Sequence, residues 1–68
     1  MAQVVNRPLF DAEEFGRQVA EVLSSRRLTI RDAAKQIDIN KTTLHRVTQG
    51  KAPDIETYMR IVKWLKTA

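Results

Sequence analysis

Cysteine is absent from the chain, which excludes disulfides and thiolate metal sites. No apolar run approaches the roughly 20 residues of a membrane span, and the first residues lack the apolar core of a signal peptide. Glycine and proline occur twice each, and no internal repeat, low-complexity stretch or linker divides the 68 residues. With one histidine and no cysteine there are few nucleophile–base pairings. Clustered metal ligands and a glycine-rich phosphate loop are missing too. Asp11, Glu13 and Glu14 form the one acidic cluster, and a helix N-terminus accounts for it. The expectation is a single soluble cytoplasmic domain that is not an enzyme, holds no metal or cofactor and is too small for an effector pocket. A chain of this length buries about 60% of its unfolded surface, so stability is modest and a second copy would add to it.

Charge is present and unevenly placed. The net charge is +4, and residues 26–51 hold seven basic side chains against two acidic ones, a net of +5. The remainder holds five basic and six acidic, a net of −1. An excess confined to one stretch points to a polyanion partner, although a merely soluble basic surface would have the same composition.

Residues 1–10 read as an N-terminal arm, because Pro8 disfavours helix at Arg7. Met1 to Gln3 fit a frayed end, whereas Val4 and Val5 call for something to pack on. From Asp11 to about Ser25 the spacing predicts a helix capped by Asp11, with Ala12, Phe15, Val19, Val22 and Leu23 inward. Gly16 within it costs about 1 kcal/mol relative to alanine, so it marks either a close neighbour or simple tolerance. Arg26 and Arg27 follow at the negative end of the helix dipole, a placement that suits them whether or not they also meet phosphate. After Pro53, Asp54 caps a last helix whose inward stripe is expected to be Ile55, Tyr58, Met59, Val62 and Leu65. Ile61 and Trp64 fall off that stripe. They are expected on the surface, against Val4 and Val5 of the arm or against a second copy.

The centre of the chain is Leu28 to Lys51. Thr29 caps a short helix with Ile30, Ala33, Ala34 and Ile37 on one face. Asp38-Ile39-Asn40 breaks the period, and Asn40 caps a second helix with Leu44 and Val47 inward and Gly50 at its end. Its outer face carries Lys41, Thr42, His45, Arg46 and Gln49, and no acidic residue lies between Lys41 and Lys51. Solvated helices ordinarily mix Glu with Lys; a hydrogen-bonding face without acids suits phosphates and base edges.

These residues resemble the phage Cro and repressor type of helix-turn-helix domain, the XRE-like family. The resemblance rests on Leu28-Thr29, the small pair Ala33-Ala34, the turn Asp38-Ile39-Asn40, the run Thr43-Leu44-His45-Arg46-Val47 and the closing Gly50-Lys51. Pro53-Asp54-Ile55-Glu56-Thr57 is also typical of the family, and the likeness spans about residues 12–66. It implies an all-α, lambda-repressor-like domain of four helices over residues 11–68. The sequence departs from the family at three points. Ile30 stands where the family often has a phosphate-holding glutamine, so that contact is either lost or passed to Arg31. Asp38 stands where the turn usually has glycine. The fifth helix common in the family is missing, since the chain stops soon after Leu65, and the arm is expected to cover part of that surface.

Carried over by position, the resemblance puts Lys41, Thr42 and Arg46 against base edges in the major groove, with His45 at the groove edge. Thr29, Arg31, Thr43, Gln49 and Lys51 become phosphate contacts, while Asn40 stays a structural cap. The function implied is a transcriptional regulator that binds a palindromic double-stranded DNA operator as a homodimer. Repression is favoured, since occluding a promoter needs no further domain. The rival reading is a protein-interaction module, such as the antitoxin of a toxin–antitoxin pair. It would set Ile61, Trp64 and the arm against a protein partner and make DNA binding secondary.

Overall fold

Short polar side chains set where each helix begins. In the computed structural model, which describes residues 10–67, Asp11 accepts from the Glu14 amide and opens α1 (Ala12–Arg26). Thr29 accepts from Asp32 to open α2 (Ile30–Ile37), and Asn40 accepts from Thr42 to open α3 (Lys41–Thr48). Asp54 does the same through Thr57 for α4 (Ile55–Lys66). All four caps fall where the sequence puts them, each satisfying an amide that the helix itself leaves unpaired. The described residues are all-α, with four helices and no strand. Val4 and Val5, and with them nearly all of the arm, lie outside the described residues.

The first three helices end on a left-handed residue: Arg27 (φ 56°), Asp38 (φ 69°) and Gly50 (φ 94°). At Arg27 and Gly50 the following amide bonds back five residues, Leu28 to Leu23 O at 2.9 Å and Lys51 to Arg46 O at 3.0 Å. This closes the helix and turns the chain sharply. The sequence marks Gly50 and the tolerant Asp38. Arg27 carries no such signal and bears the steric cost of a Cβ at positive φ.

Phe15, Val19 and Leu23 of α1 meet Ala33, Ala34 and Ile37 of α2, Leu44 and Val47 of α3, and Ile61 and Trp64 of α4 in one core. The helix α3 packs on both α1 and α2, and α4 packs on α2. Phe10 and Phe15 join Tyr58 in an aromatic cluster with ring centroids 5.0–5.4 Å apart, tying the start of α1 to α4. Gly16 has a close neighbour: a Cβ there would overlap the Val47 carbonyl oxygen and stand 3.4 Å from the Gly50 amide nitrogen. The backbones of α1 and α3 are therefore in direct contact, which only glycine permits.

On α4 the expected stripe is out of phase with the structure. Ile61 and Trp64, expected at the surface, are buried at 0% and 6% exposure, whereas Ile55 and Met59, expected in the core, are 74% and 63% exposed. Tyr58, Val62 and Leu65 are half-buried. Seven apolar residues spread around more than half of the helix, so periodicity alone admits several inward faces. The choice falls to Trp64, which has the most apolar surface to remove from water. Its indole N–H donates to Gln36 Oε1 at 2.9 Å, and the Arg26 guanidinium lies over its ring at 4.7 Å. Arg26 also donates to the carbonyls of Leu65 and Thr67 at the end of α4. Ile61 and Trp64 thus do not form the expected exposed surface for a second copy; the expected contact with Val4 and Val5 lies outside the described residues.

Two substitutions test the helix ends and contacts. Gly16→Ala should destabilise by about 1–3 kcal/mol despite alanine's better helix propensity, because α3 must move away from α1. Arg27→Gly should stabilise by about 1 kcal/mol by relieving the left-handed strain. Thermal unfolding checks both; a stabilised Gly16→Ala protein would contradict the backbone contact.

Candidate nucleic-acid interface

The inner face of α3 is anchored by Leu44 and Val47, at 0% and 1% exposure. At about 100° per residue, two buried side chains three apart fix the rotation of so short a helix. Thr42, His45, Arg46 and Gln49 consequently point away from the core, with Lys41 at the flank, and all five are exposed. Asn40 is committed to its capping bond with Thr42 at 2.7 Å. The structure brings Lys41, Thr42, His45 and Arg46 together on one outer face, as the sequence suggests.

The phosphate candidates divide into three places. Thr43 is half-buried and lines a cleft with Arg46, Lys51, Pro53 and Thr57, formed where α3 meets the start of α4. Thr29 and Arg31 stand exposed at the opening of α2 and are not part of that cleft. The Thr29 oxygen accepts from the Asp32 amide at 3.0 Å, which leaves its hydroxyl proton to donate outward. Gln49 is exposed at the end of α3. Ile30 is half-buried against the core. The cleft joins residues that sequence spacing leaves separate: Pro53 and Thr57 come beside Arg46 only because α4 folds back after Gly50.

The available cations are consistent with an anionic partner. Among the described residues Arg31, Lys35, Lys41, Arg46 and Lys51 are exposed and none of them takes part in an ion pair. The ion pairs recorded there join Arg17 to Glu14 and Glu21, and Arg60 to Glu56 and Asp38. The hydrogen bond from Arg17 holds the Glu14 carboxyl below its ordinary range, and Glu56 raises the affinity of Arg60 for its proton. Arg26, by contrast, is half-buried over Trp64 and spends its donors on α4 carbonyls. It serves the fold and leaves the free charge to its neighbours.

Asp54 is the one carboxylate in the cleft. The Thr57 side chain and backbone amide hold its pKa below the usual aspartate value, so it stays charged and turned toward the helix end. No helix among the described residues is long and apolar enough to cross a membrane. Compared with protein-family models, with curated proteins and with solved structures, the chain finds no match in any of the three.

A lowered folded-state pKa makes the Asp54 cap stabilising above the unfolded pKa, and the contribution is lost as pH falls through the folded value. Melting temperature should therefore drop as pH falls below the ordinary aspartate range of about 4. Asp54→Asn keeps a capping acceptor without the titration and should flatten part of that drop; an unchanged acid profile would remove Asp54 from it.

Proposed function

We propose that the chain is a sequence-specific double-stranded DNA-binding regulator of the Cro and repressor (XRE-like) helix-turn-helix kind. The observation that carries this reading is the outer face of α3. Five hydrogen-bonding side chains, with no acidic residue from Lys41 to Lys51, are held outward by Leu44 and Val47, and Arg46 continues the face into a cleft that contains Lys51 and the capping carboxylate of Asp54. An α-helix of this kind fits the major groove, where base edges carry a distinct donor and acceptor pattern. Arg46 is assigned a bidentate contact to guanine O6 and N7. Lys41 reaches the same acceptors, Thr42 offers its hydroxyl or methyl to a base, and His45 lies at the groove edge.

Thr29, Arg31, Thr43, Gln49 and Lys51 hold phosphates and fix register, a task that supplies affinity without reading sequence. Two copies on a palindromic operator place their α3 helices about 34 Å apart, one turn of DNA. Occupancy of a promoter by such a dimer represses by occlusion.

The roles separate under substitution. Arg46→Ala should relax preference at one or two base pairs, by about 1–3 kcal/mol of discrimination. Lys51→Ala should weaken all sequences alike and reduce the slope of log K against log salt by about 1. Binding to a panel of duplexes over a salt series reads both effects. Equal, sequence-blind losses from the two variants would contradict the division of roles.

A further inference from the structure

The outward face of α4 is apolar where a solvated helix would be polar. Ile55 and Met59 are 74% and 63% exposed, and half-buried Val62 continues the same stripe at i+7 from Ile55. Exposed large apolar residues grouped on one helix face are unusual for a monomer and mark a surface that is covered in use. Charge indicates what covers it. Glu56 and Lys63 sit two turns apart on the same flank of this stripe. If a second α4 lies antiparallel across a two-fold axis, Glu56 of each copy faces Lys63 of the other, and Met59 meets Val62. A parallel arrangement would put this flank of the two copies on opposite sides of the contact and form no Glu56–Lys63 pair across it. The helix face is therefore self-complementary in its apolar stripe and in charge, as an isologous interface requires.

We infer that the Ile55–Met59–Val62 face of α4 is the surface through which two copies of this chain associate, with their α4 helices antiparallel. The inference rests on the homodimer part of the proposed function and locates it. Such pairing leaves the DNA face free. Thr57, on the side of α4 that borders the Arg46 and Lys51 cleft, is more than 100° around the helix from Ile55 and Met59. A stable interface needs about 800 Å² from each partner. One 12-residue helix face is about 18 Å long and offers less, so association in free solution is weak. Two adjacent half-sites on DNA raise the effective concentration of one copy for the other and complete the dimer there.

Sedimentation equilibrium of the full chain without DNA, at concentrations up to about 1 mM, should show a reversible monomer–dimer equilibrium. Met59→Glu should weaken it at least about tenfold. Its melting temperature at low concentration should be unchanged, because the side chain is exposed. Glu56→Lys should also weaken it, and Glu56→Lys with Lys63→Glu in the same chain should restore it, since the exchanged charges again face each other. On DNA, Met59→Glu should bind a single half-site as the wild type does and lose its preference for the palindrome. A wild-type chain that stays monomeric, a Met59→Glu protein that dimerises normally, or a double swap that fails to restore pairing would overturn the inference. A dimer with these mutational responses that binds no DNA would sustain the α4 surface and overturn the DNA-binding reading instead.

Discussion

The placement of α3 depends on the contact of its C-terminal backbone with α1 at Gly16. The Val47 carbonyl and the Gly50 amide occupy the space that any side chain at position 16 would need. Gly50 in turn lies against Glu13, with a Cβ there falling 3.2 Å from the Glu13 Cγ. The two glycines let one helix lie flat on the other, and Leu44 and Val47 lock the rotation. The other helices assist this placement. Among the described residues no buried side-chain polar atom is left without a hydrogen-bond partner, and the outer face of α3 presents Lys41, Thr42, His45 and Arg46 to solvent.

A small chain has few side chains to spare, and several here serve two ends. Thr29 closes the start of α2 and retains a hydroxyl proton directed outward. Arg26 covers Trp64 and satisfies the last carbonyls of α4, where a cation also complements the helix dipole. Asp54 begins α4 and sets the acidic limit of the cleft beside Arg46. Surface ion pairs such as Arg60 with Glu56 and Asp38 add little stability by comparison, since both partners remain in water.

Much of the fold was legible in the sequence because its determinants are local. Asp11, Thr29, Asn40 and Asp54 cap at short range, and the apolar stripes of α1, α2 and α3 are narrow enough to point in a single direction. On α4 the apolar arc is broad, and its phase is decided by Gln36 and Arg26, residues 28 and 38 positions from Trp64. Left-handed Arg27 was hidden for a related reason: Leu28 must return to the core, and tertiary packing overrides local preference. The outer face of α3 followed from the rotation fixed by Leu44 and Val47. The cleft joining Thr43, Arg46 and Lys51 to Thr57 did not, since it exists only once α4 has folded back.

Selection from a randomised double-stranded DNA pool at near-physiological salt tests the central claim most directly, with the enriched fragments read by sequencing. An enriched palindrome with half-site centres one helical turn apart is the result predicted for two outward-facing α3 helices. Binding that disappears with added salt and enriches no sequence would contradict it, reducing the face of Lys41, Thr42 and Arg46 to a general attraction for polyanions.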